Sequence, residues 1–210
     1  MHSKSIWHGV MTGLLFALPG VVFAADLQKG IELFQARKHG EAAAELREVV
    51  KEAPDNVTAR YYLGLTLMEL KEYEPAAEHL RQAEQQRAEA RPRMDQIRAG
   101  LAQVYTEQQR YEEAQRLIDE ALKENDKSAE AYFAQGKLGV HRKDYAAAVP
   151  ALERAIELDP NNAYAHYYAG IAYSNERRPD RMANEFQLFL KLAPDAPEAD
   201  KVKSLLRSVR

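Results

Sequence analysis

The chain is 210 residues long, room for one or two domains, and its 29 Lys+Arg against 32 Asp+Glu give a formal net charge of -3. That balance excludes the basic bias of a dedicated nucleic-acid binder and the acidic excess of a solvating tail, while 46% hydrophobic residues exclude wholesale disorder. Cysteine is absent, which removes disulfides, thiolate chemistry, Cys-based zinc sites and Cys-linked lipids; 34 alanines beside 10 glycines and 9 prolines favour helix over strand.

The chain opens on a short polar stretch, Met1 to His8, whose one fixed positive charge is Lys4. The mostly apolar run Val10–Val22 and the small residues Ala24 and Ala25 follow. A charged start, an apolar run of about 7–15 residues and a small residue at the cut predict a secretory signal peptide over 1–24. Spanning a membrane takes about 20 apolar residues, and Pro19 and Gly20 interrupt this run, which argues against an uncut anchor. Neither a twin arginine nor a lipidation cysteine is present to divert the route. A cysteine-free exported chain with so short a leader is expected in a bacterial periplasm. The tripeptide Asn56-Val57-Thr58 fits the N-glycosylation pattern by coincidence.

The remainder repeats itself. Gly30 and Gly64 are 34 residues apart, as are Gly136 and Gly170, and Ala102 is the small residue between the two pairs. Each stands inside a helical pattern, where glycine costs about 1 kcal/mol relative to alanine. Nine residues later come His39, Tyr73, Tyr111, Tyr145 and Pro179, then Ala42, Ala76, Ala114, Ala148 and Met182, then Leu46, Leu80, Ile118, Leu152 and Phe186. Spacings of three and four place these on one helical stripe, and the small residues let two helices approach closely. Pro54, Pro160 and Pro194 close three of the units. One helical hairpin cannot bury its apolar faces alone; several stacked copies can.

The stretch Ala129–Asn162, with Gly136, Tyr145, Ala148, Ala155 and Pro160, resembles a tetratricopeptide repeat (TPR). The resemblance covers about 23–196, departing from the pattern at His39 in the first copy and at Pro179 and Met182 in the fifth. It implies an all-α fold, a right-handed solenoid of about five helix-turn-helix repeats with a C-terminal capping helix. The units are expected at 25–56, 57–90, 95–128, 129–162 and 163–196, with an insert at 91–94 and the cap at 197–210. In the cap, Val202, Leu205, Leu206 and Val209 form the stripe that would cover the end of the stack.

Motifs for chemistry are lacking. The histidines at 39, 79, 141 and 166 offer no four-residue spacing for helical zinc ligands, and no phosphate loop or nucleophile motif occurs. No catalytic residue, metal or cofactor is expected. The arginines around the insert (Arg87, Arg91, Arg93 and Arg98) are diluted by Glu84, Glu89 and Asp95, and read as a solvated junction rather than a phosphate surface. The family resemblance implies instead a concave groove lined by the first helix of each pair. Carried onto this chain, its positions are Leu27, Ile31 and Phe34; Tyr61, Leu65 and Met68; Ala99, Gln103 and Thr106; Phe133, Lys137 and Val140; and Tyr167, Ile171 and Ser174, with Tyr164 one turn earlier. Lys137 is the one cation among them, so a clamp for a terminal carboxylate is not expected. The apolar members would receive a protein or peptide partner in an envelope assembly, without nucleic acid. Self-association through the cap helix and carriage of an apolar or carbohydrate ligand are the alternatives. On this reading Tyr61→Glu and Phe34→Glu abolish partner capture and leave helical content intact.

Overall fold

The computed structural model describes residues 26–86 and 92–208. Among them are eleven helices and no strand: α1 (Leu27–Gln35), α2 (His39–Glu52), α3 (Val57–Glu69), α4 (Tyr73–Gln85), α5 (Met94–Glu107), α6 (Tyr111–Glu124), α7 (Ala129–His141), α8 (Tyr145–Leu158), α9 (Ala163–Asn175), α10 (Pro179–Leu192) and α11 (Ala199–Ser208). The segment expected to be a signal peptide lies outside the described residues, as do Arg87, Arg91 and Val209.

Local chemistry sets where each hairpin starts and turns. Asp26, Asn56, Ser128 and Asn162 cap α1, α3, α7 and α9, each accepting a backbone N–H of the first turn through its side chain. Asn56 of the glycosylation-like tripeptide is thus a helix cap. At the turn inside each hairpin one non-glycine residue takes the left-handed conformation: Arg37, Lys71, Gln109, Lys143 and Arg177, with φ between 56° and 63°. The next residue donates its N–H five positions back, as in Lys38 to Leu33 and Glu72 to Leu67, satisfying a carbonyl that the helix end leaves open. These long polar residues carry no glycine-like mark, so the turn type was not visible in the sequence.

The small residues pack as expected. A Cβ built on Gly30 would lie 2.7 Å from Leu46 Cδ2, and one on Gly64 2.6 Å from Leu80 Cγ. On Gly136 and Gly170 it would meet Leu152 and Phe186 closer still. In all four the obstructing side chain is sixteen residues on, fully buried on the second helix of the same hairpin. Burying a Leu or Phe side chain contributes about 1.5–3 kcal/mol, and it is realised here because the opposing residue has no side chain.

Successive hairpins pack the second helix of one on the first helix of the next, and their first helices also touch, α1 and α3, α3 and α5, α5 and α7, and α7 and α9. Among the described residues the backbones of successive second helices stay apart, bridged by side chains where Arg181 on α10 pairs with Glu153 on α8 at 2.9 Å. The array therefore curves with its first helices inside and its second helices outside, most tightly where α5 meets α7. Two hydrophobic clusters meet at α7, one spanning Ala42 to Leu138 and the other Phe133 to Val202. On α11, Val202 is buried and Leu206 packs against the second cluster. Leu205 is 37% exposed. It departs from the expected stripe because Val202 and Leu206, four apart, define the covered face and Leu205 falls on its flank.

Candidate binding groove

The inside of the curve encloses a cavity of about 420 Å³. Its wall comes from the C-terminal ends of α3 and α5, from α7 and α9, from the turns carrying Arg37 and Lys71, and from Pro197 and Glu198 ahead of α11. Glu107 is among the residues that line it. The carboxylate accepts from Lys137 Nζ at 2.6 Å and lies 3.8 Å from His141 Nε2, with Tyr73 on the same cavity wall. Burial pushes Glu107 up, but the charge and hydrogen bond of Lys137, with smaller contributions from His141 and Tyr73, outweigh that and hold the carboxyl below its usual range. Burial lowers His39 and His141, so both favour the neutral ring. The Nδ1 of His39 is buried without a hydrogen-bond partner, its ring set edge-on against Phe34 at 5.8 Å.

A continuous aromatic run on α7, α9 and α10 starts at the cavity, where Phe133, Tyr164 and Tyr168 line the wall, and continues into the second cluster. Phe133 meets Tyr168, Tyr168 meets Tyr167, and Tyr167 meets both Tyr164 and Phe189, at centroid separations of 5.1–6.1 Å in offset or edge geometry. The Lys137 ammonium is 5.8 Å from the Tyr168 ring. Tyr164 is held at its hydroxyl, which accepts from Arg37 Nη2 at 2.6 Å and donates to Glu198 Oε2 at 3.0 Å. Burial, partly offset by Arg37, pushes this phenol up to about 12, so it remains protonated and available as a donor.

The residues expected to line the groove divide into three groups. Met68, Phe133 and Tyr164 line the cavity, although Met68 and Phe133 are each only 8% exposed. Leu27, Phe34, Leu65, Val140, Tyr167 and Ile171 are half-buried against the two clusters, and Ile31 is half-buried outside both. Tyr61 corrects the expectation: at 7% exposure it belongs to the first cluster, its ring against Tyr62 and close to Gly100. A glutamate at 61 would therefore damage folding, and Tyr61→Glu is not a selective test of binding. Lys137, expected to face a ligand, has a side chain only 8% exposed and is paired with Glu107.

Pattern reasoning missed Arg37, His39, Glu69, Tyr73, Glu107, Tyr168 and Glu198. Glu69 and Glu107 each stand five residues after the small residue of their repeat, at the end of the first helix, as does His141. That recurrence of a titratable residue at the inner helix end was the available signal. Of the arginines around the insert, the described Arg93 and Arg98 make structural ion pairs. Arg93 holds the buried Asp95 with two hydrogen bonds of 2.9 and 3.0 Å, and Arg98 is surrounded by Glu84, Glu120 and Glu124.

Among the described residues no three His, Asp or Glu come together as a metal site, and no helix is long and apolar enough to cross a membrane. The Tetratricopeptide repeat family model matches residues 27–93 and 99–163, and a second model of that description matches 151–182. The chain belongs to the tetratricopeptide repeat family. Its TPR region is 35% identical over 98 residues to Tetratricopeptide repeat protein 37 of Xenopus laevis, covering 45% of this chain and 6% of that protein. It is 26% identical over 177 residues to the DnaJ homolog subfamily C member 3 homolog of Dictyostelium discoideum, covering 79% and 35%. The chain thus spans 6% and 35% of the length of these curated relatives. Among solved structures, TTC0263, a TPR protein of Thermus thermophilus, superposes with a TM-score of 0.68 at 19% identity, covering 87% of this chain and 95% of that one. MamA of Desulfovibrio magneticus RS-1 superposes with a TM-score of 0.51 at 17% identity, covering 81% and 94%. These likenesses show the fold, an all-α TPR array of the kind that suggests a role in protein interaction.

Proposed function

We propose that this TPR protein is a non-enzymatic scaffold that takes an extended segment of a protein partner across its concave face. The observation that carries the reading is the cavity itself. It lies on the inner side of the array, walled by aromatic rings on α7 and α9 and floored by an internally neutralised Glu107–Lys137 pair. Such a site presents rings and a few fixed polar groups in a concavity, as binding pockets do. One turn of helix with its side chains, 10–12 Å across and 5.4 Å long, fills on the order of 400–600 Å³. The 420 Å³ enclosed here therefore takes a segment of only a few residues. Apolar burial at about 25 cal/mol per Å² supplies the gain, offset by association costs. The leader-like segment 1–24 supports export and a place in a periplasmic assembly.

The test compares Ile31→Glu and Ile171→Glu, on the inner helices α1 and α9, with Leu188→Glu on the outer helix α10, where Leu188 is 41% exposed. Crosslinking and recovery from intact cells should lose the partner with the first two changes and retain it with the third. Loss confined to Leu188→Glu would move the interface to the convex side and overturn the reading.

A further inference from the structure

The contact between Arg37 and Tyr164 differs in kind from the rest of the array. Every other side-chain hydrogen bond among the described residues spans 34 positions or fewer, the reach of one repeat, whereas this one spans 127. No helix packing accompanies it: α1 touches α2 and α3, and α9 touches α7, α8 and α10. The first and fifth repeats thus meet through side chains across the mouth of the groove, and separating them disturbs neither hydrophobic cluster. Arg37 has no salt-bridge partner among the described residues, and neither do Glu198 and Glu69, both on the cavity wall. The guanidinium carbon is 5.1 Å from the Tyr164 ring centroid. With Nη2 only 2.6 Å from the hydroxyl, the charge is at the hydroxyl end of the ring, where Glu198 accepts from the same oxygen.

We propose that Tyr164 and Glu198 form a subsite for a cationic side chain of the partner segment, and that Arg37 occupies it from within as an internal competitor. The inference rests on the concave face being the binding surface and adds what the partner must carry: an arginine or lysine flanked by apolar residues. When Arg37 swings away, the carboxylates of Glu198 and Glu69 are left on a wall of rings, a setting that favours a guanidinium over a neutral side chain. Because Arg37 is tethered, it competes at a high effective concentration, and a partner must displace it to enter.

The experiment uses the full chain and a capped heptapeptide based on residues 34–40 with glutamine in place of the lysine, Phe-Gln-Ala-Arg-Gln-His-Gly, so that arginine is its one fixed cation, beside the same peptide with citrulline for arginine, which keeps the shape and removes that charge. Binding is followed by calorimetry, with circular dichroism confirming an unchanged helix content. In Arg37→Gln the arginine peptide should bind about tenfold more tightly than to the unaltered chain, and about tenfold more tightly than the citrulline peptide. Adding Glu198→Gln should erase the preference for arginine. Equal binding of both peptides to Arg37→Gln overturns the cation subsite and leaves the groove reading standing. Binding of neither peptide to Arg37→Gln also overturns the subsite, and the groove is then judged separately by the Ile31 and Ile171 substitutions.

Discussion

Replacing Gly136 by alanine removes a residue that is poor in helices, and on propensity alone should stabilise α7 by about 1 kcal/mol. The packing predicts the opposite. The added methyl would press on Cγ of Leu152, with Cδ2 at 2.7 Å and Cδ1 at 3.2 Å, in a side chain that is fully buried. The obstruction includes the branch carbon, so rotating the end of the chain does not relieve it. Overpacking of this kind costs about 1–3 kcal/mol. Set against the propensity gain, Gly136→Ala should be destabilising by up to about 2 kcal/mol. Gly40→Ala is the control: nothing lies within 4 Å of a Cβ there, so only the propensity gain of up to about 1 kcal/mol acts, reduced by its place in the first turn of α2. The third repeat supplies a rescue, since it carries Ala102 with Ile118 at the same spacing. Gly136→Ala with Leu152→Ile should recover much of the loss, a non-additivity that a double-mutant cycle reads directly. Urea midpoints followed by helical circular dichroism, with slopes compared, measure each of these proteins. A Gly136→Ala protein as stable as the parent, or strict additivity in the cycle, would refute the close-approach argument and with it the register.

Other outcomes follow from the turns, the core and the buried histidine. Lys143 holds the left-handed conformation at φ 61°, so Lys143→Gly should stabilise modestly, by about 0.5–1 kcal/mol after the entropy of glycine in the unfolded chain is counted, while Lys143→Val should destabilise; chemical denaturation gives both signs. Tyr61→Glu should cost helical content or several kcal/mol of stability, since it places a charge in the first cluster, whereas Ile31→Glu keeps the parent spectrum. Both ring nitrogens of His166 face acceptors, Nδ1 to Glu185 Oε2 at 2.6 Å and Nε2 to the Pro160 carbonyl at 3.0 Å. Burial opposes the charged ring, but the hydrogen bonds to Glu185 and Pro160 and the nearby carboxylates prevail and raise it above 6.5. A raised folded value means the stabilisation is fully present below the unfolded value near 6.5 and is lost as pH climbs through the folded one. Arg60, the equivalent residue of the second repeat, donates the same kind of bond to the Pro54 carbonyl. His166→Arg should therefore abolish the fall in stability as pH climbs above the ordinary histidine value near 6.5; persistence of that fall would assign it to another group.

The periodic part of this protein was legible because a close helix crossing is a local demand: Gly136 and Leu152, sixteen apart, announce one hairpin wherever they recur. The groove was less legible because exposure there depends on curvature, the sum of many contacts between first helices. Tyr61 and Met68 occupy positions that face the concave side in the repeat pattern, yet they are only 7% and 8% exposed. The Glu107–Lys137 pair joins residues thirty apart on neighbouring helices, each ordinary on its own in a charged helix. Nothing short of the assembled arc could show that a turn arginine in the first repeat reaches a tyrosine in the fifth. The left-handed turns were hidden for another reason: Arg, Lys and Gln tolerate that conformation at a cost and leave no sequence mark of it.

The central claim, that partners enter on the inner face, is most directly tested by photocrosslinking from single sites. A benzoylphenylalanine at Tyr167, on the inner helix α9, should give discrete crosslinked products in intact cells, and the same residue at Leu188, on the outer helix α10, should give none. Products from Leu188 with none from Tyr167 would contradict the account.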